Sequence, residues 1–186
     1  MGNCCVTHNE IHVTSSSTAI AFEPEDLIFQ KTNKKPAPPT PPTAPSLTLN
    51  RILSWTSMQN LVIDEEGVKL FQTFCKTEFS DENIQFYKAV EEVKKEANPG
   101  KVEEKTRIIY KDFIEILAPL EISIDARVRE KINQKMSQGS GYDVYEEAQD
   151  VIFTLMERDT FPRFLSSKVY KEKLDEARQW EKFIGQ

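Results

Sequence analysis

Histidine is nearly missing from this sequence: only His8 and His12 occur in 186 residues, and both precede the region where apolar residues become periodic. That region therefore has no imidazole to serve as general base near neutral pH, which removes most routes to nucleophilic catalysis. Cysteine is scarce too, with Cys4 and Cys5 adjacent and Cys75 alone, which is no disulfide framework of the secreted kind. Taken together, Cys4, Cys5, His8 and His12 lack the spacing of a structural zinc site, so no metal is expected. The six glycines form no G-x-x-x-x-G-K phosphate cradle, and Gly139 and Gly141 read as a loop, so no nucleotide or other cofactor is expected. No apolar run reaches the roughly 18 residues of a membrane span, and the N-terminus lacks a signal-peptide layout, which points to a cytosolic chain. A net charge of −6 without a long basic stripe excludes nucleic acid as an expected partner. Carboxylates are plentiful, but Glu91-Glu92 and Glu103-Glu104 alternate with lysines as solvated helix faces do, so a self-contained enzyme is not expected.

What is present divides into two parts. Residues 1–50 are rich in Thr, Ser, Pro and Asn and cannot bury enough apolar surface to offset chain entropy, so a disordered tail is expected there. Prolines crowd residues 34–45, which reads as a semi-rigid polyproline spacer that also offers PxxP frames to an SH3-type partner. A short apolar patch at 20–29 is a docking candidate. From Arg51 onward apolar residues recur at three- and four-residue spacing, as amphipathic helices require. Phe86, Val90 and Val93 line one helix, stopped at Asn98-Pro99-Gly100. Val102, Ile109, Phe113 and Ile116 line another that ends before Pro119. Asp143 with Glu146 forms a capping pair for a third, whose stripe is Ala148, Val151, Ile152 and Leu155. The pattern predicts an all-α bundle of roughly seven to nine helices with short connections.

Two blocks give the pattern a family. The run through Gly67, Leu70 and Phe74 that closes on EFSDEN at 78–83 resembles the regulator of G-protein signalling (RGS) domain, and EEAQDVIFTLMERDTFPRFL at 146–165 is similar to the end of that domain. Trp55, Ile124-Asp125-Ala126-Arg127 and Asn133 extend the resemblance over roughly 53–174. It implies a bundle of about nine helices in two subdomains at 53–176, with 177–186 as a C-terminal extension. It also implies that Glu78, Glu82, Asn83, Asn133 in a central loop, Leu155, Asp159, Thr160 and Arg163 face a GTP-bound Gα subunit. The implied activity is GTPase activation without chemistry of its own, because Gα already carries its catalytic arginine and a water-orienting glutamine, with Asn133 set against that glutamine. A binding module or adaptor without GTPase-activating activity is the alternative.

Departures from the family pattern are Tyr87 for tryptophan, Val90 for cysteine, Thr160 for serine, and extra length at 134–143. The same residues also admit plain structural roles: Glu82 and Asn83 in a first helical turn after a Ser80 cap, and Asp159 as a cap paired with Arg163. At the N-terminus Gly2 meets the first demand of myristoylation, although Val6 stands where serine or threonine is preferred. One such chain binds membranes only marginally, so palmitate on Cys4 or Cys5 is expected as the second anchor. These features together predict a peripheral location on the cytoplasmic face of the plasma membrane.

Overall fold

The computed structural model describes residues 44–139 and 141–185; Gly2, Cys4, Cys5, the patch at 20–29 and nearly all of the proline spacer lie outside them. Among the described residues there are nine α-helices and no strand. These are α1 (Leu49–Ser54), α2 (Met58–Val62), α3 (Glu65–Thr77), α4 (Glu82–Lys94), α5 (Pro99–Ile109), α6 (Ala126–Gln138), α7 (Glu146–Leu155), α8 (Phe161–Ser166) and α9 (Lys168–Ile184). Helix starts follow local chemistry. Asp64 caps α3 by accepting from the Glu66 and Gly67 amides, and Asn98 caps α5 with Pro99 in its first turn. Asp125 caps α6 and Ser167 caps α9.

The helices pack as two subdomains joined where α3 meets α4. In the first, α1, α3, α8 and α9 close around Phe164, which meets Phe71 at 5.3 Å, Phe74 at 5.7 Å and Tyr170 at 5.2 Å between ring centroids. In the second, α4 to α7 form a bundle around Phe86, which packs on Phe113 and Tyr145. Both hubs are fully buried, and edge-to-face aromatic contacts add specificity beyond area burial. The buried Tyr145 hydroxyl is satisfied by the Thr106 carbonyl at 2.7 Å. Gly67 lets α3 approach the Trp55 indole, where an added Cβ would lie 3.0 Å from the ring.

Three local expectations are corrected. The helix after Asn98 turns into a π-helical segment at Tyr110–Ile114 and stops there, so Ile116 is 73% exposed instead of buried. Asp143 does not cap α7: a 3₁₀ turn, Tyr142–Tyr145, leads into that helix without any side-chain cap, and Asp143 accepts from Lys135 instead. Ser80 does not cap α4, where Asp81 is the flanking residue and makes no capping bond. The helix α9 runs unbroken across 176–177 with Ala177 buried, so no structural break sets residues after 176 apart.

Candidate functional site

Among the described residues two non-glycine residues have a left-handed backbone, Phe79 at the α3–α4 corner and Leu117. Helix α3 ends with the Phe79 amide donating to Lys76 and the Ser80 amide to Cys75, the pair of bonds that defines a Schellman ending. That motif wants a left-handed residue after the cap and usually finds glycine; here the position holds Phe79, at φ 53° and 95% exposed. A bulky residue held left-handed and turned to solvent costs stability and returns nothing to the core, and Leu117, at φ 65° and 89% exposed, shares both properties. No glycine signals this turn in the sequence, and Phe79 was not singled out there.

Close to Phe79 in the sequence are polar atoms without partners. Asn83 is buried, and its amide nitrogen donates to Glu82 Oε1 at 2.8 Å while its oxygen has no hydrogen-bond partner. The Ser80 hydroxyl is likewise buried and unpaired. Buried acceptors left open in this way cost free energy.

Glu78 at the end of α3 reaches across to Arg163 on α8, and Arg163 also grips Asp159 with Nη2 at 2.7 Å and Nε at 3.3 Å. One fork-shaped guanidinium therefore joins both subsites. The hydrogen bonds to Asp159 and then Glu78 raise the Arg163 pKa, and the same bond lowers that of Asp159. Arg163 side-chain exposure is 45%, so the trio remains open to a partner.

The stretch from α7 into α8 is shaped by a second π-helical segment, Met156–Thr160, in which the Phe161 amide bonds back five residues to Met156. Ala148, Ile152, Met156, Thr160 and Phe164 are all buried, at a constant spacing of four. In an unbroken α-helix such a stripe drifts about 40° at each step and would leave the core. The wider turn absorbs one residue of rotation. On the opposite side Val151, Leu155, Asp159 and Arg163 form a solvent-facing stripe, with Val151 39% and Leu155 40% exposed. The stripe expected to be buried at Val151 and Leu155 is therefore outside, and Leu155 is available as an apolar anchor. Thr160 is 6% exposed and belongs to the buried row, beneath the surface it was expected to share. Asp159 pairs with Arg163 and does not cap α8, whose flanking residue is Thr160.

Asn133 stands apart. It sits within α6 instead of a loop, and its side-chain oxygen accepts from the Tyr110 hydroxyl at 2.8 Å. Among the described residues no hydrogen bond ties it to Glu78, Asn83 or Arg163. Two residues on, Lys135 donates to both the carbonyl and carboxylate of Asp143, stapling the end of α6 to the 3₁₀ turn.

The fold agrees with what sequence comparison finds. The family model for the regulator of G protein signaling domain matches residues 57–173. The chain belongs to the RGS domain family. It is 47% identical over 137 residues to Regulator of G-protein signaling 20 of Homo sapiens, covering 73% of this chain and 35% of that one. It is 50% identical over 125 residues to Regulator of G-protein signaling rgs-2 of Caenorhabditis elegans, covering 67% of this chain and 73% of that one. Regulator of G-protein signaling 19 of Homo sapiens is 47% identical over 124 residues, 66% of this chain and 57% of that one. The chain spans about a third of the length of the first of these, so likeness lies in the RGS domain. The strained corner, the Glu78–Arg163–Asp159 trio and the exposed α7 stripe all fall inside the matched residues. That family is named for the regulation of G-protein signalling.

Proposed function

We propose that this RGS domain is a GTPase-activating protein for heterotrimeric G-protein α subunits, acting by holding the switch regions of Gα in the transition-state geometry of GTP hydrolysis. The observation that supports this most is the open, polar corner at 78–83 joined through Arg163 to Asp159, inside a family named for G-protein regulation. The exposed Glu78 carboxylate and Arg163 guanidinium suit the polar groups of a flexible switch loop, and Phe79 and Leu155 suit apolar anchors. The module supplies no reacting group. Catalytic arginine and water-orienting glutamine come from Gα, and each tenfold of acceleration needs only about 1.4 kcal/mol of added transition-state stabilisation.

The binding-module reading is favoured by one observation, the confinement of Asn133 within α6 with its oxygen engaged by Tyr110. Single-turnover hydrolysis of GTP preloaded on inhibitory-class and Gq-class Gα separates the two. Acceleration of at least about tenfold, lost in Asn133→Ala, is the expected result for an activator that uses Asn133 at the transition state. Binding to Gα with GDP and aluminium fluoride, without acceleration, would establish the module reading instead. We further propose that acyl groups on Gly2 and on Cys4 or Cys5 place the chain on the cytoplasmic face of the plasma membrane, and that the PxxP frames at 34–45 offer a site to an SH3-type partner.

A further inference from the structure

The seam between α4 and α7 holds a polar ring that the proposed contact surface does not use. Gln149 lies on α7 and is 4% exposed. Its Nε2 donates to Glu91 Oε1 at 2.9 Å and to the Tyr87 carbonyl at 3.3 Å, while its Oε1 accepts from Lys94 Nζ at 2.5 Å. Lys94 closes the ring on Glu91 Oε1 at 3.1 Å. Burial pushes the Glu91 carboxyl up, yet bonds from Gln149 and Lys94 outweigh it and hold the group below its ordinary value, so the ring is charged. Both amide hydrogens and the amide oxygen of Gln149 are thus engaged, three of them by one face of α4.

Such a ring is directional where apolar packing is not. Apolar contacts tolerate a slide of one helix along another, but a slide here would break every bond of the buried Gln149 amide at once, while the Lys94–Glu91 pair, within α4, would survive it. One turn along α7, Phe153 packs on Tyr87 at 5.7 Å between centroids, so the two helices run antiparallel. Asn83 therefore lies about 12 Å from the ring along α4, and Leu155, next to the π turn, lies about 9 Å from it along α7 on the same side.

We propose that Gln149 is a positioning residue for Gα recognition: by fixing the slide and tilt of α7 against α4 it sets the separation between Asn83 on one helix and Leu155 and Asp159 at the end of the other. The proposal rests on the GTPase-activating reading above. A merely stabilising glutamine would lower the melting temperature when replaced and leave the affinity of the folded molecules unchanged.

The test uses the full chain and Gα loaded with GDP and aluminium fluoride. Gln149→Met keeps the volume and removes every polar bond, and we expect a single cooperative unfolding transition together with binding about tenfold weaker than wild type. The exchange of Glu91→Gln with Gln149→Glu restores a carboxylate–amide bond and the Lys94 bond across the seam but not the bond to the Tyr87 carbonyl, which a carboxylate cannot make, and it is expected to recover affinity to within about threefold. A folded Gln149→Met protein that binds as tightly as wild type overturns the proposal, as does an exchange variant that regains melting temperature without regaining affinity. Should Gln149→Met fail to fold, Lys94→Met at the rim of the ring takes its place, and wild-type affinity in that variant overturns the proposal equally. A wild-type chain that binds no Gα overturns the parent reading and the proposal with it.

Discussion

Phe79 places a large apolar side chain in solvent on a backbone that L-residues avoid, at a cost of about 1–2 kcal/mol. Phe79→Gly is therefore expected to raise stability by about 1 kcal/mol in chemical denaturation while weakening binding to Gα with aluminium fluoride. A variant less stable than wild type would show that the corner is not strained. Asp64 supplies a second residue-scale test. Hydrogen bonds from Arg51 at 2.6 and 2.8 Å, together with the Gly67 amide, outweigh burial and lower its pKa to about 2. The carboxylate in the folded state is thus harder to protonate than in the unfolded chain, where its value is about 3.9. Its contribution is complete above about pH 4 and is lost as pH falls toward about 2. Asp64→Asn should keep a side-chain cap and flatten that part of the stability profile, whereas Asp64→Ala should lose the cap as well, about 1 kcal/mol or more at neutral pH. Cys75 is a quieter case: burial pushes its thiol up to about 12, so it is expected to resist alkylation in the folded protein.

Among the elements, the π turn at Met156–Thr160 decides which residues of α7 and α8 meet solvent. It acts as one inserted residue, so removing Arg158 should restore an α-helix while Ile152 and Phe164 stay in the core. The deletion leaves Leu155, Asp159 and Arg163 at i, i+3 and i+7, which still share one face of an α-helix, so it is expected to fold with a loss of roughly 1–3 kcal/mol and to bind Gα within about threefold of wild type. Circular dichroism with thermal melting reports the first outcome and a binding isotherm the second. Helix starts at Asp64, Asn98 and Ser167 follow side-chain oxygens in the sequence, because capping is decided within three residues. The ends are harder to read, since the α3 Schellman turn carries no glycine and the π segments have no sequence mark.

For the whole molecule, two aromatic hubs, Phe164 and Phe86, hold two subdomains whose shared edge bears the proposed contact surface. On the acylation proposal, how much Gα the molecule meets in a cell is set by its N-terminal residues. A single myristoyl chain gives membrane binding of only about 10⁴ M⁻¹, so Gly2→Ala and Cys4→Ser/Cys5→Ser should each release the protein from the membrane fraction while leaving single-turnover acceleration in solution unchanged. Retention of both variants on membranes would remove acylation as the anchor. Family and helical class were legible at this scale because two blocks of fixed spacing, 66–86 and 146–165, carry them.

By itself the sequence determined the helices, most of the core and the family, since periodicity and short motifs are local properties of the chain. Glu78, Asp159 and Arg163 were named from it, yet only the folded chain decided that one guanidinium joins residues 85 positions apart. Tertiary packing also placed Thr160 below the surface, Asn133 within a helix beside Tyr110, Ile116 in solvent, and Phe79 and Gln149 where they matter. The reason is the same in each case: exposure and pairing depend on the rotation of one helix against another, and a single inserted residue in a π turn changes that rotation by about 100° without altering the apolar pattern on which a sequence reading rests.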